Sequence, residues 1–460
     1  MNRTVNESIL SNEVLTKNLV KRVIPIIAYS LVLFSFTLVD SLMISVLGEE
    51  YLGSVGQGGT FFTVVTILFT GILSMYTPMA SRLNDSQLNL GKGISYFWMT
   101  SLLSIVFGLI VISILSFTKQ FFYITGQTQE VTQIASDYIN FLKWSSIPTL
   151  LFSCLINTAN IYNISKIVVV TVLFGNIFNV ILNWVLIYGI YVFPELGVNG
   201  VAISTLVSKI IMVIILFIGI NIVLPKEKKL TNLKKITFDL PFLKVLLQKG
   251  FPKGLNWLND WMTSFILLLM IGWGGAQVLA SNEASSFLFS LLCMIPQAFC
   301  VSISVLISKF IGENKSKEYI KNNFKNIIKV MFASSLLISV IVLISFNTFF
   351  NLYNLSQDAK ELATTIIYIK LTFFFFYNLQ WSMTSLLDSF LDTKISSIIS
   401  ISVTYIFVIP MSYAAVKMGY GSVGVWVVDG IGILVISVLL YFRARTFLVE
   451  DLRQELKSIV

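Results

Sequence analysis

Two carboxylates stand inside long apolar runs of this chain, Asp40 in TLVDSLM and Asp260 in GLNWLNDWMTSF. An ionisable side chain at the centre of a bilayer-spanning helix costs about 2.5 kcal/mol or more on insertion scales, so it faces an interior or a wet cavity and marks a functional position. The chemistry open to these acids is narrowed by what the chain lacks. It contains no histidine, which removes imidazole bases and imidazole metal ligands. Its three cysteines, Cys154, Cys293 and Cys300, lie in apolar runs with neither a disulfide framework nor a zinc spacing. HExxH and GxSxG patterns are absent too, so no nucleophile–base constellation is present and the chain is not expected to be an enzyme. What remains is reversible cation binding by a buried acid. The expectation is no catalytic residue, no metal centre and no cofactor beyond H+ or Na+ as a coupling ion.

The neighbours of each acid sharpen this. Asp40 lies roughly 10 Å below the outer end of its run at 1.5 Å per residue. Asn179 and Asn183, in GNIFNVILNW, are four apart and share one helix face. They come out about 16 and 10 Å deep, and Thr205 of the next run roughly 10 Å. Polar groups from three helices at one level predict an ion-coupling pocket of Asp40, Asn179, Asn183 and Thr205, with Asp260 as a second acid. Each Asn is also open to a simpler reading as a hydrogen-bonding link between helices.

Around Asp260, Trp257 at i−3 shares its helix face and Trp261 flanks it. Tyr377, Gln380 and Trp381 reach a similar or slightly greater depth in a later run. An acid among aromatic rings suits an organic cation, through charge and cation–π attraction. Asp260, Trp257, Trp261, Tyr377, Gln380, Trp381 and Glu283 are therefore the candidate substrate contacts. Core packing or an interfacial belt is the competing reading of each aromatic, and lining of a wet outer vestibule that of Glu283. Lys209 and Lys370 either snorkel or pair with a carboxylate across the cavity. Asp388 and Asp392 end their run near the cytoplasm and read as loop solvation.

These residues need membrane helices to hold them. Of 460 residues 56% are hydrophobic and 12% charged, about half the charge of an average soluble domain, and the mean hydropathy is +0.83. A soluble enzyme with a small anchor is excluded, and so is a disordered chain. Apolar runs at 20–47, 56–81, 94–117, 131–159, 164–190, 198–223, 249–273, 278–308, 326–350, 360–387, 395–416 and 421–442 are each about the length of a span. The fold class is all-α, with twelve transmembrane helices. The run at 131–159 begins amphipathic. The first run starts too late and is too long for a cleaved signal peptide.

The net charge of +9 does not point to nucleic acid, because the basic residues sit in short loops. One set of loops carries Lys17, Lys21, Arg22, Arg82, Lys92, Lys166, the cluster from Lys226 to Lys235, Lys315, Lys317, Lys321, Arg443 and Arg445. The opposite set holds Lys119, Lys360 and Lys417 beside Glu49, Glu50 and Glu195. The positive-inside rule then puts both termini in the cytoplasm.

The chain also repeats. Pro25 matches Pro252, and Ser54 matches Ser281, at an offset of 227. Gly197 and Gly200 match Gly421 and Gly424 at 224. Each half has an even number of spans, which predicts two pseudo-symmetric six-helix bundles related by an axis along the membrane normal, with a site at a central cleft. The expected domains are 1–223 and 249–442, joined by a basic cytoplasmic linker at 224–248 and followed by a cytoplasmic tail at 443–460.

Pro25 through TLVDSLMISVLG, then GNIFNVILNWVLIYG, LGVNGVAIST, GFPKGLNWLND and VLASNEASSFLFSLLCMIPQ, in this order, resemble the multidrug and toxic compound extrusion (MATE) family, closest to its NorM-like branch. The resemblance covers about residues 20–440. It implies two six-helix bundles around a V-shaped cleft, and antiport in which an organic substrate leaves the cytoplasm as Na+ or H+ enters. The family's first-helix acid falls on Asp40, its fifth-helix polar pair on Asn179 and Asn183, its sixth-helix Thr on Thr205 and its seventh-helix acid on Asp260. The chain departs from the family at Asn183, where many prokaryotic members carry an acid. It departs again at Tyr377, which aligns with a tenth-helix Asp, and that weakens the case for a Na+ site in the second half.

The expected protein is thus a monomeric exporter of small organic, cationic compounds in the bacterial cytoplasmic (inner) membrane, with the lipid bilayer as its surroundings and no nucleic-acid partner. The rival is a flippase for a lipid-linked precursor from the same wider superfamily. That rival calls for a strongly cationic cavity, whereas the buried charge here is mixed.

Overall fold

A computed structural model describes residues 27, 31, 34–35, 37–80, 91–162, 164, 166–190, 192–232, 236–312, 315–390 and 392–449; a few side chains within helices, those of Asn256 and Asp260 among them, lie outside the description. These residues form helices joined by short turns, with no strand among them. Ten helical segments among the described residues are long and apolar enough to cross a membrane, counting Gln129–Ile161 and Lys394–Lys417 as one each. Most of the expected first span, with Pro25, lies outside the described residues.

The chain divides into two compact units. One comprises residues 32–280, and the other 281–460 with the described residues up to Leu31. The first contains α1 (37–45), α2 (Glu49–Ser74), α3 (Tyr76–Ala80), α4 (Lys92–Leu115), α5 (Thr118–Ile124), α6 (Gln129–Leu142), α7 (Ser146–Ile161), α8 (Lys166–Tyr188), α9 (Gly197–Val223) and α10 (Leu240–Gly272). Helix α11 (Ala276–Gly312) begins here and lies mostly in the second unit, which continues with α12 (Lys317–Asn351), α13 (Gln357–Ser389), α14 (Thr393–Val403), α15 (Ile409–Lys417) and α16 (Gly421–Val449).

Helix starts follow local chemistry. Thr128, Asp239, Ser316 and Ser356 each accept a hydrogen bond from the backbone N–H three residues on, at 3.4, 3.0, 3.2 and 3.3 Å. Such caps satisfy donors that have no intrahelical partner. After α8 the chain turns back at Gly189 (φ +63°), where a Cβ would sit 2.6 Å from Glu195 N.

The expected span at 131–159 is two helices, α6 and α7, joined by a 3-10 turn at Lys143–Ser145. The last part of the expected linker is helical, because α10 starts at Leu240. Phe242 and Leu246 bury themselves in the first unit's core, with Phe242 stacked on Tyr96 at 3.8 Å. The span at 395–416 is interrupted: Thr404–Val408 forms a π turn between α14 and α15.

Within the first unit α2 packs against α10, and α8 against α9. The α2–α10 crossing is made by glycines. A Cβ on Gly71 would lie 2.6 Å from Gly254 Cα, and one on Gly250 would lie 2.6 Å from Ile72 O. Gly250 and Gly254 form a GxxxG pair, which lets two backbones approach closely. Phe121 of the short α5 stacks on Phe61 of α2 at 4.6 Å, and Phe61 lies 5.4 Å from Phe265 of α10. Gln57 of α2 donates to Gln127 Oε1 at 2.9 Å, and Gln127 donates to Leu269 O at 3.0 Å. The unit of 32–280 therefore includes α10, the helix with which the expected second bundle begins.

In the second unit α13 packs along α16, over a core that includes Ile303, Ile327, Met331, Leu386 and Leu440. Asp392, read from sequence as loop solvation, is instead paired with Arg443, whose Nε donates to its Oδ2 at 2.7 Å. This pairing brings the Asp392 carboxylate to the C-terminal end of α16.

Candidate functional site

Asn179 and Asn183 project from one face of α8 onto α9. Both are buried, at 1% and 0% exposure, as is Ser204 of α9 at 0%. Buried amides and hydroxyls must find partners, since an unsatisfied polar group loses its hydration with no return. These groups satisfy one another. Asn183 Nδ2 donates to Asp40 Oδ1 at 2.5 Å and lies 3.4 Å from Asn179 Oδ1. Its carbonyl oxygen accepts from Ser204 Oγ. Asn179 Nδ2 in turn donates to Ser204 Oγ at 3.4 Å, and Thr205 Oγ1 lies at hydrogen-bond distance, 3.5 Å, from Asp40 Oδ2.

The structure therefore brings Asp40, Asn179, Asn183 and Thr205 together, as the depth arithmetic expects. Asn183 is the hub: its amide group serves an acid, an amide and a hydroxyl at once. Lys209, one turn along α9 from Thr205, interacts electrostatically with Asp40. Its ammonium also lies 5.9 Å from the Phe152 ring. Tyr138 of α6 lies within the electrostatic reach of the same carboxylate. The site is a single carboxylate held from two sides by neutral hydrogen-bond donors, with one cation in range. Such a group can exchange a small cation for its own hydrogen bonds without unfolding its surroundings.

Ser204 escaped the sequence reading. Serine is cheap inside a membrane helix, and its neighbour Thr205 drew the attention. The run Ser204, Thr205, Ser208 was the available signal. Replacing Asn183 with Ala removes one hydrogen-bond partner of Asp40 and one of Ser204 together, leaving them Thr205 and Val201 O. The expected outcome is a loss of about 1 kcal/mol for the neutral bond and about 1.5–3 kcal/mol for the bond to the carboxylate, read as a lowered thermal midpoint of the purified protein.

The remaining candidates fall in different places. Asp260 lies in α10, with its side chain outside the description. Trp257 is half-buried near the glycine crossing, and the Lys253 ammonium lies 5.7 Å from its ring. Trp261 is exposed, at 42%. In the second unit Tyr377 donates its hydroxyl to Asp429 and packs edge-on against Phe289 at 5.4 Å. Trp381 lies 5.9 Å from Tyr377. Gln380 Oε1 is buried with no hydrogen-bond partner. Glu283 acts electrostatically on Lys370.

Asp429 is the acid that sequence reading missed. It sits within the last apolar run, in VWVVDGIG, and the rule that singled out Asp40 applies to it equally.

A helical membrane protein with a carboxylate bound into a polar cluster inside one unit has the make-up of a secondary transporter, and comparison with known proteins specifies the class. Residues 25–185 and 252–414 match the MatE family. The two matched segments begin 227 residues apart, the offset that relates Pro25 to Pro252. The chain is 22% identical over 457 residues to a probable multidrug resistance protein NorM of Buchnera aphidicola subsp. Baizongia pistaciae, covering 93% of this chain and 97% of the relative. It is 23% identical to a probable multidrug resistance protein NorM of Listeria innocua, covering 92% of each. It superposes on the inward-facing conformation of a multidrug resistance MATE family transporter of the MOP superfamily with a TM-score of 0.79 and 18% identity, over 90% of this chain and 94% of that one. The fold is that of a multi-pass membrane protein with twelve helices in two bundles. The chain belongs to the MatE family of multidrug efflux transporters.

Proposed function

We propose that this protein is a secondary active antiporter that exports organic, cationic compounds across the bacterial cytoplasmic membrane while H+ or Na+ enters. The Asp40 cluster carries the reading: one acid, 2.5 Å from Asn183 and within electrostatic reach of Lys209, is a binding point for a single small cation. A ligand shifts a two-state equilibrium only through its different affinities for the two states. Occupation of Asp40 by the coupling ion cancels its charge, rearranges the bonds to Asn183 and Thr205, and changes the affinity for a cationic substrate. Access to the site alternates between the two faces of the membrane as the ion comes and goes.

Asn179, Asn183, Thr205 and Asp260 complete the proposed ion-coupling set. Asp260, Trp257 and Trp261 are the proposed substrate contacts of the first unit, and Glu283, Tyr377, Gln380 and Trp381 those of the second. The basic loops support both termini in the cytoplasm, and the protein is taken as a monomer. Mixed charge in both units, with Asp40 near Lys209 and Asp429 near Lys370, disfavours a flippase for a pyrophosphate-linked precursor.

The test is movement of a fluorescent organic cation in everted membrane vesicles, with pH and Na+ gradients imposed separately. One gradient alone should drive transport and so name the coupling ion. Transport indifferent to both gradients would overturn the antiport reading.

A further inference from the structure

The unit of residues 281–460 holds a charge cluster centred on Lys370, a residue to which the transport reading gives no role. Lys370 lies in α13 and is 3% exposed. Its ammonium donates to Ser286 Oγ at 2.9 Å. It lies 3.8 Å from the centroid of the Trp426 ring and 5.5 Å from that of Phe289. The carboxylates of Asp429 and Glu283 both act on it through space.

The surroundings are held in place. Trp426 donates its indole N–H to Asn282 Oδ1 at 3.0 Å, which fixes the ring whose face the ammonium meets. Asp429 is held by the Tyr377 hydroxyl. An ammonium over an indole face well inside about 6 Å, with a hydroxyl acceptor and acids nearby, has the geometry by which proteins recognise organic ammonium groups. With both acids ionised, the lysine leaves the cluster one net negative charge.

We infer that Lys370 is the tethered occupant of a cation-binding cage formed by Trp426, Phe289, Ser286, Glu283 and Asp429, and that a substrate's ammonium group enters this cage by displacing the lysine ammonium from the Trp426 face. Lys370 is thereby a specificity-determining residue. It confines the cage to ligands that compete with a covalently attached rival, and it limits the charge the cage accepts to one. The identity of the displacing ligand rests on the export reading; the cage itself does not.

The purified full-length protein in lipid nanodiscs is titrated with n-propylammonium, the fragment of the lysine side chain that Lys370→Ala removes, and binding is read by isothermal titration calorimetry. Lys370→Ala should respond saturably, with an affinity at least about tenfold above that of the wild type. The response should vanish in Lys370→Ala/Trp426→Leu and weaken in Lys370→Ala/Asp429→Asn. A folded, monodisperse Lys370→Ala with no saturable response, or a response that survives Trp426→Leu, overturns the proposal. Lys370→Met fills much of the same volume and covers the case in which the alanine variant does not fold. It must bind tetramethylammonium about tenfold more tightly than the wild type, and equal binding overturns the proposal. Binding is read at equilibrium with no gradient, so failure of ion-driven export and failure of the cage give different results.

Discussion

Asp40→Asn is expected to abolish ion-driven export while the protein still inserts, folds and purifies. The substitution removes a charge and keeps a shape. The Asn side chain retains a carbonyl oxygen to accept from Asn183 Nδ2, which lies 2.5 Å from Asp40 Oδ1. The Asn179, Asn183 and Ser204 bonds do not pass through residue 40 at all. The polar cluster therefore closes around the amide. What the amide lacks is the ability to take up and release a cation, so the imposed gradient no longer biases the two access states. The measurement is fluorescent-cation movement in everted vesicles beside a thermal melt of the purified variant. Transport should fall to the level of vesicles without the protein, with the melt close to wild type. Full transport by Asp40→Asn would remove Asp40 from the coupling site.

Gly254→Leu is expected to cause the largest loss of folded protein of any substitution away from the polar site. At the α2–α10 crossing there is no space for a side chain, since even a Cβ on Gly71 would come within 2.6 Å of Gly254 Cα. Overpacking a close contact costs about 1–3 kcal/mol and more where backbone must move. Here the obstacle is backbone on both sides. Separating the helices would also pull apart the Phe61–Phe265 contact and the Gln57–Gln127–Leu269 chain of hydrogen bonds. Size-exclusion profiles should show aggregated or absent protein, with Gly254→Ala intermediate. Gly59, on the same α2, has nothing within 4 Å of a built Cβ, so Gly59→Ala should behave as wild type. A normal profile for Gly254→Leu would mean that the crossing does not hold α10 in place.

The first-unit site was legible in the sequence because its information is local. The four-position step from Asn179 to Asn183 fixes a shared face, and 1.5 Å per residue fixes a depth. Both hold however the helices are arranged. The second unit was harder to read. Tyr377 and Asp429 meet across α13 and α16, and no spacing within either run gives the rotation that aims one side chain at the other. For the same reason the sequence leaves Lys370 open to snorkelling or pairing and does not reveal the indole face that it meets. The amphipathic start at residue 131 was visible, whereas the break at Lys143–Ser145 came from a turn no apolar count detects. The helical end of the linker was readable in Phe242 and Leu246, but its lysines outweighed them.

The π turn at Thr404–Val408 resets the phase of the span that contains it. Ser396, Val408 and Ser412 are its deeply buried residues. Ser396 and Val408 are twelve positions apart. At about 100° per residue an unbroken α-helix would set them about 120° apart around the axis. A turn that absorbs one extra residue brings them to within about 20° of each other, and Ser412 follows in line one turn on. The wide turn thus works as a vernier between two short cylinders. A single periodicity run straight through the segment would point the inward edge of the second cylinder at lipid.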